Sequence, residues 1–285
     1  MKRLFKFLVI ILVSISLTGC VRSDQFENID IHVTSYVIEF IVNELYGDHS
    51  RVSSIYPDGI NIHEYTLTPR QITEFSRGRL FLFNGTNHER EFAVSLINAN
   101  NNLDIIDVAK GLDVRGDDAR LWISPAHTLM VAQNIRNGLR ELITNTSLLE
   151  AIDRNYEDLR LLLSTFDADF NLISQNANKR TIVAANRAFD FLTRYGFEVI
   201  NINDDEASST AVTRAQNIFR AGENSALFIL TGTEINDDIQ SLIDAGAELS
   251  WVNPMFNLTD EERRNGDNYI TFMNQFLGAL RSEVF

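Results

Sequence analysis

Five histidines and a single cysteine are the side chains of this 285-residue chain best suited to metal or nucleophilic chemistry. Zinc and related ions take imidazole, thiolate and carboxylate donors, and a structural or transport site needs several of them converging. His32, His49, His88 and His127 fall into no spacing that builds such a set, and each reads as an ordinary surface or core histidine. His88-Glu89 opens like a His-Glu-x-x-His helix motif but lacks the second histidine. The chain contains neither a Walker loop nor a Gly-x-Ser-x-Gly elbow. The paired acids Asp117-Asp118, Asp204-Asp205 and Asp237-Asp238 read as solvated charges of loops and helix starts. None of these residues points to an enzyme.

The cysteine is Cys20, so a disulfide framework is excluded, as is cysteine-based metal binding or catalysis elsewhere in the chain. Basic Lys2, Arg3 and Lys6 precede an apolar run from Phe7 to Leu17, which ends in Leu17-Thr18-Gly19-Cys20. A charged start followed by roughly 7–15 apolar residues is an export signal, whereas a spanning helix needs about 20. Leu-Thr-Gly-Cys resembles the bacterial lipobox. That resemblance implies that residues 1–19 are a signal peptide and that Cys20 is acylated, with 20–28 as anchor and tether. The protein would then be held at the outer face of the cytoplasmic membrane, stably so if two or more acyl chains are attached. Loss of the leader takes the formal charge from −14 to about −17. So acidic a surface excludes nucleic acid as the expected partner and suits a protein that stays dissolved beside a membrane, expected here as a monomer.

Roughly 265 residues follow Cys20, enough for one large or two medium domains. Residues 29–37 alternate as a strand and give way to helical spacing from Tyr36 to Leu45. Short apolar runs recur at Arg79–Asn84 and Leu103–Val108, with helical stretches around Thr68–Ser76 and His88–Asn98 between them. The alternation predicts a parallel sheet covered on both faces. Farther on, Leu149, Ile152, Tyr156, Leu159, Leu163, Phe166, Phe170 and Ile173 repeat every three or four residues with no glycine or proline between them. This predicts one long amphipathic helix opened by a capping box at Ser147 and Glu150. Strands then return at Thr181–Ala185, Phe197–Ile202, Ala226–Leu230 and Glu248–Val252, with helices from Arg187, Ser208, Glu234 and Asn265. The expected fold is α/β: two lobes, 29–146 and 177–285, each with a mostly parallel sheet, joined by a spine helix over 147–176. Ligands of such folds bind between lobes or at the carboxyl ends of parallel strands.

Several segments, in order, resemble the substrate-binding lipoproteins of zinc and manganese ABC transporters. Ile62-His63-Glu64-Tyr65 with Pro69 is similar to that family's Pro-His-x-Tyr-x-x-x-Pro loop. Asp118 to Pro125 is similar to its Asp-x-His-x-Trp-x-x-Pro, and Asn84-Gly85 to its asparagine-glycine turn. In the second lobe IVAANRAFDFLTRYGFEVI, LFILTG, WVNPMFNLT and GDNYITFMNQFLGAL complete the series. The resemblance covers essentially the whole mature chain. It implies a single zinc or manganese ion bound between the lobes and delivered to an ABC permease.

The same resemblance locates four metal ligands, and here the chain departs from the pattern. His63 keeps the first. Arg120 stands at the second, Asn186 at the third, and Leu230 or Asn253 at the fourth, which is acidic in the family. Arg120 carries a permanent charge and five donors with no lone pair, so it repels a dication. Zinc or manganese is therefore expected to bind weakly or not at all. Arg120 would instead need an anionic or carbonyl partner in the cleft, with Glu64 and Glu234 as candidates near the motif loops. The alternative is an interaction protein on the same scaffold: an adhesin, accessory subunit or regulator.

Overall fold

The computed structural model describes residues 25–85, 89–112, 119–203 and 208–285. Cys20, His88, Asp117-Asp118 and Asp204-Asp205 lie outside the described residues.

The first lobe opens with strand β1 (Asp30–Val33) and helix α1 (Tyr36–Tyr46), nine of whose residues are buried. A 3-10 turn (Gly47–His49) leads to β2 (Arg51–Ser54), which the sequence reading passed over. Its four residues are polar or half-exposed and form the sheet edge, so no apolar run marks them. Arg51 instead pairs across the ladder with Asp30, Nε to Oδ1 at 2.7 Å. Helix α2 (Pro69–Phe75) is opened by a capping box between Thr68 and Gln71 and leads to β3 (Leu80–Phe83), buried throughout. Then come α3 (Glu89–Ala99) and β4 (Asp104–Asp107). The sheet runs β2-β1-β3-β4, all parallel, as expected for strands joined by helical crossovers.

A single turn, α4 (Arg120–Ile123), precedes α5 (Pro125–Leu142). Gly138 lets α5 lie close on the sheet, because a Cβ there would meet Ile106 Cδ1 at 2.8 Å. The spine is α6 (Thr146–Asn176), 31 residues and about 46 Å long at 1.5 Å per residue. Its start differs from expectation. Asn145 is the cap, its side chain accepting from the Ser147 and Leu148 amides, and Ser147 lies inside the helix. The stripe also begins one residue earlier, with Leu148 buried at 3% exposure and Leu149 only half-buried, while the other seven expected positions are buried.

The second lobe repeats the plan. Strand β5 (Thr181–Ala184) leads to a 3-10 helix (Arg187–Tyr195), then β6 (Glu198–Asn201), α7 (Ser208–Ala221), β7 (Ala226–Leu230), α8 (Asp237–Asp244) and β8 (Glu248–Val252). Its sheet, β6-β5-β7-β8, is again parallel. Asn236 caps α8, so that helix starts later than Glu234. The helix expected from Asn265 starts at Tyr269, as α10 (Tyr269–Val284), and the residue expected to open it instead ends a short helix without a sequence counterpart, α9 (Asp260–Asn265). They are parted by Gly266 in the left-handed region and by Asn268 capping the second. One core joins the spine stripe, α1, α5 and α10, so the expected two-lobed α/β fold with a connecting helix is what the chain adopts.

Candidate functional site

Both sheets have their switch point at the central pair, β1/β3 and β5/β7, and ligands of open α/β sheets collect beyond the carboxyl ends of such strands. His63 reaches this region from the loop after β2. Its amide donates to Asn61 Oδ1 at 3.1 Å and its side chain is exposed. The group against its ring is Phe256, edge-on at 5.7 Å between centroids, and Phe256 in turn meets Trp122 edge-on at 5.7 Å.

Asn186 follows β5 by two residues, and its amide is engaged in holding the end of β7. Its Oδ1 accepts from the Leu230 amide at 2.9 Å, and its Nδ2 donates to Thr233 Oγ1 at 3.1 Å. Asn253 is engaged likewise, accepting from the Met255 amide at 2.8 Å and donating to Glu262 Oε1 at 2.7 Å. The Leu230 side chain is buried hydrocarbon. The second-lobe side chain that meets His63 is therefore Phe256 rather than Leu230 or Asn253. Leu230 or Asn253 is the expected fourth ligand position; the ring against His63 lies three residues past Asn253, in the turn after β8.

Arg120 points elsewhere. It lines a pocket with Ser124, His127, Asp190, Thr193 and Arg194, and its Nε is sealed from solvent without an acceptor. Glu64 and Glu234 are both exposed, and among the described residues neither pairs with it. Also among the described residues, no group of three or more His, Cys, Asp or Glu side chains comes together to hold a metal ion. With one imidazole, two engaged carboxamides and an aromatic ring, the donors among the described residues do not fit zinc or manganese.

The lobes are instead tied to each other by the chain between β8 and α9, a segment the sequence marked only by its resemblance to the family and not as a contact between lobes. Met255 is a non-glycine residue at φ 56°, a conformation that bulky side chains adopt only when their surroundings impose it. The Trp122 indole donates to the Pro254 carbonyl at 2.6 Å. Tyr36, at the start of α1, donates its amide to the Phe256 carbonyl at 2.8 Å, and Gly59 donates to Leu258 O at 2.8 Å. Asn257 Nδ2 donates to the carbonyls of Pro57 and Ile60. Arg263 grips Asp58 with Nε at 2.6 Å and Nη2 at 2.8 Å, and Glu39 with Nη1 at 3.3 Å. Burial pushes the Glu39 carboxyl above its ordinary value, and Arg263 opposes that.

Comparison with known proteins agrees with this architecture. The chain is 21% identical to the zinc-binding lipoprotein AdcA of Streptococcus pneumoniae, over 95% of this chain and 59% of that protein, so it spans about six tenths of that relative's length. It is 22% identical to the manganese-binding lipoprotein MntA of Halalkalibacterium halodurans, over 88% of each. The crystal structure of the Zn(II)-bound ZnuA-like domain of pneumococcal AdcA superposes with a TM-score of 0.73 at 20% identity, covering 90% of this chain and 99% of that one. The family model described as zinc-uptake complex component A, periplasmic, matches residues 31–283, and on that match the chain belongs to the ZnuA family, whose members are uptake-complex components rather than enzymes.

Proposed function

We propose that the protein is the extracytoplasmic substrate-binding lipoprotein of a zinc/manganese-type ABC uptake system, working with a membrane permease. Its cleft has diverged so that zinc or manganese binds weakly or not at all. The family match across residues 31–283 carries the first part. The contact of His63 with the Phe256 ring, where a second donor would be needed, supports the second. In this reading His63 keeps a ligand position, while Asn186 and Asn253 stand at substituted ones. Residues 21–285 contain every described element and suit titration calorimetry with zinc and manganese. The expected affinity is no better than a single surface imidazole provides, and stoichiometric tight binding would refute the divergence.

Anchoring belongs to the same proposal: residues 1–19 are the leader, Cys20 carries the lipid and 20–28 form the tether. Relatives named as lipoproteins support it. Cys20→Ser should leave the protein unprocessed or release it from the membrane fraction, and a matured, fully membrane-held variant would sink the idea. The latch between β8 and α9 favours a second reading, an interaction protein that needs no small ligand to hold its lobes together.

A further inference from the structure

A cavity of about 300 Å³ opens where the start of α5 meets the 3-10 helix of the second lobe. That volume is at the small end of ligand pockets. Arg120, Ser124 and His127 line it from the first lobe, and Asp190, Thr193 and Arg194 from the second. In a chain of formal charge −14, two guanidiniums against one carboxylate among the described lining residues make a local excess of the opposite sign.

These cations are poorly compensated from within. Arg120 has no carboxylate partner among the described residues. Arg194 has 62% of its side chain exposed and, among the described residues, reaches the carboxylate of Asp167 alone, Oδ1 at 4.0 Å. That same oxygen accepts from the Tyr195 hydroxyl at 2.7 Å. Asp190, the one carboxylate of the wall among the described residues, is held by Asn201 Nδ2 at 3.0 Å and by Arg187 at 3.5 Å. His127 holds the Arg120 carbonyl through Nδ1 at 3.1 Å. Burial, and then the Arg120 and Arg194 charges, keep its pKa below the ordinary histidine value. Ser124 makes no side-chain cap on the 18-residue α5, so the dipole of that helix adds to the same sign.

Guanidinium forks match the planar oxygens of carboxylates and phosphates, and a ligand here would touch both lobes at once. We infer that this inter-lobe pocket binds a small oxyanion, a carboxylate or phosphate group, with Arg120 and Arg194 as its charged contacts and His127 as their neighbour. Anion binding here and cation binding at His63 use different side chains, so failure of either leaves the other standing.

Residues 21–285 should be titrated calorimetrically with inorganic phosphate and, separately, with succinate, at constant ionic strength in chloride. Saturable binding of at least one probe is expected, about tenfold weaker in Arg120→Gln and in Arg194→Gln. The exposure of Arg194 makes its variant safe for folding even if Arg120→Gln is not. Arg160→Gln removes a surface charge on the spine and should change nothing. Saturation by neither probe would overturn the assignment. So would equal weakening in Arg160→Gln, which would mean general charge attraction.

Discussion

At the scale of single residues, the spine stripe shows what spacing reveals and what it leaves open. Its three- and four-residue steps identify a buried face because helix geometry fixes which side chains align. They do not decide whether Leu148 or Leu149 begins that face; the capping side chain of Asn145 does. Phe166 lies mid-stripe at 3% exposure and meets Tyr269 of α10 edge-on, 6.1 Å between centroids. Phe166→Ala should therefore cost about 3–5 kcal/mol, since the ring leaves a cavity among side chains that cannot all close over it. Thermal melts of residues 21–285 check this, and an unchanged midpoint would mean the ring is not in the core. The cleft residues were legible only in part for a comparable reason. A motif position states which residue stands there, not where its side chain turns. Arg120 could be identified as chemically unfit for a metal, but its course toward His127 and Arg194 depends on how α4 meets the second lobe.

Elements were legible where burial is two-sided and obscured where it is not. Strands such as β3 and β7 are nearly continuous apolar runs because helices cover both faces of a parallel sheet. Strand β2 is an edge with solvent on one flank, and its Arg-Val-Ser-Ser carries no such signal. The break between α9 and α10 is carried by Gly266, Asp267 and Asn268, a helix stop followed by a cap, and the last helix accordingly starts at Tyr269 rather than at Asn265. The spine itself is fastened at its first turns by polar contacts that apolar spacing cannot show. Arg136 Nε donates to Asp153 Oδ1 at 2.7 Å, and Arg140 donates to the other oxygen of the same carboxylate, tying α5 to α6.

At the scale of the whole molecule, the geometry decides where the two lobes are able to part. A continuous helix without glycine or proline offers no hinge of its own, so opening has to happen at the latch across the cleft. Arg263 is the charge that holds this latch on the first-lobe side, forked onto Asp58 and reaching Glu39. Removing it would leave Glu39, 9% exposed and with Oε2 already lacking a partner, as a buried carboxylate without a counter-charge. Arg263→Ala should thus favour states in which this region meets water. Two amides report on such opening directly, because Tyr36 and Gly59 donate across the cleft to Phe256 and Leu258. Hydrogen exchange at both should accelerate about tenfold in the variant, while amides in the middle of the spine keep their protection. The acceleration should also grow with pH. A carboxyl whose folded pKa lies above its unfolded value stabilises the folded state below the unfolded value, and that stability is lost as pH rises through the folded one. Without Arg263 to oppose it, burial widens that window for Glu39. Unchanged exchange at Tyr36 and Gly59 would show that the apolar contacts of Phe256 with His63 and Trp122 hold the lobes without the ion pairs.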